Sequence, residues 1–146
     1  MDEQTYDALR LDRQICFPLY ACSREIIKQY KPYLDELGLT YTQYITMMVL
    51  WEEKSLNVKE LGQRLYLDSG TLTPLLKKLE EKKLVSRKRS VEDERNLIVT
   101  VTPEGENLRT QAACVPGQMA RCSPLNAEEA VTLHRLLYKI LAGGKE

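Results

Sequence analysis

The sequence predicts a mainly α-helical fold with a small β-wing, a winged helix-turn-helix. Residues 58–80 carry two short helical patterns joined by a tight turn, and residues 84–102 carry two strand patterns joined by a charged loop. The third observation is charge. The chain as a whole balances 21 Lys and Arg against 21 Asp and Glu, yet residues 1–68 are net −3 and residues 69–95 net +3. Residues 77–89 alone hold 7 basic and 2 acidic side chains. Basic charge confined to one stretch is what phosphate binding requires, and a chain neutral as a whole is no nonspecific coating protein. The same run also fits a solvated helix end, because Lys and Arg favour C-terminal turns.

Taken in order, the region from Leu9 to Tyr33 is apolar on one side and reads as helical. Pro18 either kinks its first helix or starts it; in the second case Cys16 lies at the positive end of the helix dipole, which favours a thiolate. Thr40 with Gln43 is a capping-box pattern, so a helix begins near Tyr41. Asn57 with Glu60 marks the next start, for a helix from Val58 to Leu65. The turn follows at Tyr66-Leu67-Asp68-Ser69-Gly70.

The second helix carries Leu72, Leu75, Leu76 and Leu79 on one stripe, which leaves Thr71, Thr73, Lys77 and Lys78 nearer the other face. Pro74 places its start between Ser69 and Thr71, and Asp68 reads as a cap. Leu84 to Ser90 and Leu97 to Thr102 then form the wing, with Val91 to Asn96 as its loop. Thr102-Pro103-Glu104 begins another helix, and Asn126 with Glu129 caps a last one from Ala127, striped by Leu133, Leu136, Leu137, Ile140 and Leu141. That stripe needs a partner.

At 146 residues the chain fits one domain with a real core. Met1-Asp2-Glu3 is acidic and no apolar run approaches the roughly 20 residues of a membrane span, so a cytoplasmic protein with no membrane partner is expected. Cys16, Cys22, Cys114 and Cys122 form no Cys-x-x-Cys pair and His134 stands alone, so no metal or other cofactor is expected. An enzyme is not expected either, since no motif ties His134 to Cys16.

The residues from Leu61 to Glu80, followed by Asp93-Glu94-Arg95 and Val101-Thr102-Pro103-Glu104-Gly105, resemble the MarR family of bacterial transcriptional regulators. More narrowly, the run from Leu11 to Phe17, Leu19-Tyr20 and the run from Leu39 to Tyr44 resemble its OhrR-like branch, repressors that sense organic hydroperoxides. The resemblance spans residues 11–116. It implies a two-fold homodimer in which residues 1–40 and 103–146 interdigitate as dimerisation helices while residues 41–102 read a pseudo-palindromic double-stranded DNA operator. The alternative is a monomeric bundle closed by its own terminal helices.

On that resemblance, Ser69, Thr71, Thr73, Lys77, Lys78, Arg87, Lys88, Asp93 and Arg95 form the DNA-binding set, with Arg95 entering the minor groove. Cys16 would be the redox sensor for an organic hydroperoxide, held by Tyr20 at i+4 and, across the dimer, by Tyr30 and Tyr41. Tyr30 cannot meet Cys16 along one straight helix, where fourteen residues span roughly 21 Å. Cys122 is favoured over Cys114 as the resolving thiol, Cys114 being placed in a long helix and Cys122 in the loop after it, and a small cellular thiol remains the third candidate; Cys22 reads as packing. Against these stand an inert buried Cys16, tyrosines that only pack, and a repressor released by a small aromatic ligand without cysteine chemistry.

Overall fold

A computed structural model describes residues 3–144; Met1 and Asp2, read above as part of an acidic start, lie outside the described residues, as do Lys145 and Glu146. The elements run α1 (Glu3–Asp7), a 3-10 turn (Leu11–Arg13), α2 (Cys16–Leu37), α3 (Tyr41–Glu53), β1 (Ser55–Asn57), α4 (Val58–Leu65), α5 (Ser69–Glu81), β2 (Val85–Arg89), β3 (Leu97–Val101), α6 (Pro103–Ala112), α7 (Val115–Cys122) and α8 (Ala127–Gly143). Two compact units divide at Val115.

Side-chain caps set the boundaries. Thr40 and Gln43 close a reciprocal capping box on α3, as Asn126 and Glu129 do on α8. Asn57 accepts the Glu60 N–H at 2.9 Å, Asp68 the Thr71 N–H at 2.7 Å, and Thr102 the Gly105 N–H at 3.0 Å. Each predicted start therefore falls where its cap puts it. Pro18 is the third residue of α2, where a missing N–H costs nothing, so it starts the helix rather than kinking it.

The core of the first unit is where the leucine stripe of α5 meets α3, α4 and the sheet. Leu61, Leu72, Leu76, Leu79, Met47, Leu50 and Val99 are at most 1% exposed. Antiparallel strands lie in the order β1-β3-β2, with Leu56 opposite Val99 and Arg87 opposite Val99 from the other side. Strand β1 was not legible in the sequence because three residues are too few to show alternation.

Two contacts seat α6 under the wing. The buried Trp51 indole donates to the Gly105 carbonyl at 2.8 Å, and a Cβ on Gly105 would stand 2.2 Å from the Leu84 carbonyl oxygen, so only glycine allows this approach. Lys82, which ends α5, donates to the Gly38 carbonyl and, at 3.1 Å, to Gln43 Oε1, tying that helix end to the α2–α3 junction.

The structure corrects one reading of this region. Residues 103–122 are not one long helix: α6 ends at Ala112, Cys114 occupies the turn, and Cys122 is the last residue of α7. Pro116, with no N–H to give to α6, fits the first turn of a new helix instead. In the second unit, α8 leaves Leu133, Leu136, Ile140 and Leu141 exposed on its stripe. On α2, Phe17, Ile26 and Ile27 are exposed as well.

Candidate nucleic-acid interface and thiol site

The buried leucines of α5 fix which of its residues face out. Ser69, Thr71, Thr73, Lys77 and Lys78 are all exposed, on the side away from Leu72, Leu75, Leu76 and Leu79. Gly62 lets α4 pack against the turn, since a Cβ there would meet the Leu67 carbonyl oxygen at 2.9 Å. Asp68 is held as a cap, and the Thr71 N–H that it accepts keeps its carboxyl below the usual carboxylate range.

In the wing, Lys88, Asp93 and Arg95 are exposed. Asp93 shapes the loop: its Oδ1 accepts the Arg95 N–H at 3.0 Å and its carbonyl the Asn96 N–H at 2.9 Å. Arg87 departs from the expected set. Its guanidinium turns inward to Glu80 of α5 at 3.2 Å and its side chain is 20% exposed, so it faces the protein rather than an outside phosphate.

Cys16 is the first residue of α2 and is exposed. Ile15 before it offers no side-chain cap, which leaves the first amides of α2 and the positive end of its dipole beside the thiol. Tyr20 lies one turn on, but its hydroxyl accepts from Arg24 Nη1 at 3.2 Å, with the guanidinium 5.6 Å from its ring centroid. Arg24 was not anticipated, although its i+4 spacing from Tyr20 is a local signal.

Tyr30 and Tyr41 come together, with ring centroids 5.0 Å apart, and Tyr44 joins them at 5.8 and 6.4 Å. Tyr44 closes the run that carries the OhrR-like resemblance but has no role in the thiol site as read from the sequence, yet its place at i+3 from Tyr41 in a capped helix puts both on one face. Burial raises the pKa of all three. The negative forms of Tyr30, Tyr41 and the neighbouring Cys114 oppose ionisation of Tyr44 further, to about 12. These hydroxyls remain O–H donors throughout the physiological range. Because α2 is one continuous helix, Cys16 lies roughly 21 Å along it from Tyr30 of the same chain.

Among the described residues, no group of three His, Cys, Asp or Glu side chains could hold a metal ion, and no helix is long and apolar enough to cross a membrane. His134 packs against the Tyr138 ring at 4.7 Å within α8.

A two-helix unit with one leucine-filled face, an uncovered polar face and a basic hairpin beside it defines a winged helix-turn-helix protein. Residues 28–111 match the family described as Transcriptional regulator SarA/Rot. The chain belongs to this family of MarR-like transcriptional regulators, which are not enzymes. It is 47% identical over 139 residues, covering 95% of both chains, to the organic hydroperoxide resistance transcriptional regulator of Bacillus subtilis. Among solved structures, reduced AbfR bound to DNA is 34% identical, with a TM-score of 0.77 over 97% of this chain and 99% of that one. Disulfide-formed AbfR is 33% identical, with a TM-score of 0.64 over 97% and 99%. AbfR is a protein of Staphylococcus epidermidis.

Proposed function

We propose that this protein is a cytoplasmic, homodimeric repressor that binds a pseudo-palindromic operator and releases it when an organic hydroperoxide oxidises Cys16. The observation that carries the reading is the pairing of an exposed thiol at an uncapped helix start with a reading helix whose polar face is uncovered. The Bacillus subtilis relative's name supplies the oxidant class, and the reduced, DNA-bound and disulfide-formed states of AbfR are the states such a cycle visits. The exposed apolar stripes of α2 and α8 support a second copy as the occupant, since each buried Leu or Ile is worth about 1.5–3 kcal/mol.

In this reading Ser69, Thr71, Thr73, Lys77 and Lys78 enter the major groove or hold its phosphates, while Lys88 and Arg95 act from the wing, with Asp93 ordering Arg95. The Cys16 thiolate attacks the terminal, hydrogen-bearing peroxide oxygen; the O–O bond breaks, that OH stays on Cys16 as a sulfenic acid, and the alkoxide takes a proton from water and leaves as an alcohol. The thiol of Cys122 of the partner subunit then attacks the oxidised sulfur, forming a disulfide with loss of water. Cys114 and a small cellular thiol are the competing resolvers.

The test is operator binding by the reduced dimer, on a DNA fragment selected from a random pool, before and after one equivalent of cumene hydroperoxide. Release is expected, and unchanged binding after complete Cys16 oxidation would sink the reading. The tyrosines give a finer prediction. In this reading Tyr30 and Tyr41, whose hydroxyls burial moves further from ionisation, donate to Cys16 of the partner subunit. Replacing either by Phe should slow Cys16 oxidation about tenfold in stopped flow, the size of one hydrogen bond to a charged group, and leave reduced DNA affinity unchanged. Wild-type rates in both variants would assign these residues to packing.

A further inference from the structure

We propose that Glu80 and Arg87 are a positioning pair, a brace that fixes the angle between the reading helix and the wing and so sets how well both engage DNA at once. The inference rests on the DNA-binding reading above. Glu80 lies in the last turn of α5 and Arg87 at the middle of β2. One carboxylate accepts twice from the same residue: Oε2 from the Arg87 backbone N–H at 3.2 Å and Oε1 from Nη2 at 3.2 Å. Strand alternation puts Arg87 on the face of the buried Val85, toward the helix, whereas Lys88 points to the other side.

The charges argue the same way. Within the most basic stretch of the chain, a carboxylate near a phosphate backbone would oppose binding if electrostatics were all it did. Glu80 is instead committed to Arg87, which holds its carboxyl below the usual range. Arg87 depends on it in turn, because Nε is buried without a partner and loss of Glu80 would strand further donors of a half-buried cation.

Leverage makes the angle matter. From Arg87 to the wing tip is roughly 17 Å at ~3.3 Å per residue, so a swing of about 10° at the base displaces the tip by about 3 Å. That is enough to take Arg95 out of a groove that the reading helix still occupies.

The test compares Glu80→Gln, Arg87→Met and the double variant with wild type, all reduced, for operator affinity between 50 and 200 mM salt, and separately for amide exchange at Arg87 without DNA. Glu80→Gln should bind about tenfold more weakly although it removes a negative charge, with a salt slope shallower by up to about one per wing as Arg95 disengages. Arg87→Met should match it, and the double variant should lose no more than either single. Exchange at the Arg87 amide should quicken in Glu80→Gln. Tighter binding by Glu80→Gln, a salt slope made shallower by Arg87→Met but not by Glu80→Gln, or fully additive losses would overturn the brace, the second by making Arg87 a phosphate contact. Unaltered amide exchange would overturn it without any DNA. Failure of the wild type itself to bind any selected operator would instead sink the DNA-binding reading and, with it, the brace's stated purpose.

Discussion

Arg95→Ala is expected to weaken operator binding about ten- to a hundredfold while leaving the dimer intact, the loss of about 1–3 kcal/mol typical of an arginine that reads a groove. The expectation comes from how the loop at residues 90–96 is built. Ser90 N–H donates to the Asn96 carbonyl at 2.7 Å, Arg89 Nη1 to the Glu94 carbonyl at 3.0 Å, and Asp93 holds the Arg95 and Asn96 amides. The backbone is thus pinned at several points while the Arg95 side chain stands in solvent without an ion pair among the described residues. A cation presented on an ordered tip loses little entropy on entering a narrow minor groove, where the negative potential is strongest. Fluorescence anisotropy across a salt series should therefore show both weaker binding and a slope shallower by about one for each wing engaged. Sedimentation should return an unchanged dimer mass. Equal affinity for Arg95→Ala and wild type would take the wing out of the contact surface.

The contrast between Arg95 and Arg87 shows what a sequence can and cannot disclose. Both sit in the basic stretch, and charge counting treats them alike. Capping patterns such as Thr40 with Gln43 or Asn126 with Glu129 act over three residues, so they predicted the starts of α3 and α8 to the residue. The leucine stripe of α5 acts over one helix and disclosed its inner face. The Glu80–Arg87 pair spans a turn and a change from helix to strand, which no periodicity encodes. Tyr44 and Tyr30 likewise lie on different helices, and only packing brings their rings together. The turn holding Cys114 was lost for a different reason: the apolar pattern runs through it, and Pro116 outweighs the pattern because it lacks the N–H that a continuing helix needs.

Cys16→Ser should bind operator as tightly as the reduced wild type and should not release it at any hydroperoxide concentration that empties the wild-type complex. A serine is close in size to the exposed thiol and leaves Pro18 in the first turn, so the helix start is kept, but an alcohol is no nucleophile toward a peroxide at neutral pH. Cys122→Ser isolates the second step. Its Cys16 still reaches the sulfenic acid, but the dimer-sized band on a non-reducing gel should disappear, and release should become weak or depend on an added thiol. If the band persists in Cys122→Ser and is lost in Cys114→Ser, the thiol in the turn beside Tyr44 is the resolving one. In the proposed dimer the coupling to DNA would follow from geometry: with half-sites about 34–36 Å apart, a modest rotation of each head would prevent both from docking together, with no change inside the winged helix. A disulfide between subunits can impose such a rotation because it closes only when the two α-carbons approach within about 7 Å. Release by Cys16→Ser as readily as by wild type would remove Cys16 from the mechanism and leave a small aromatic ligand as the better account of induction.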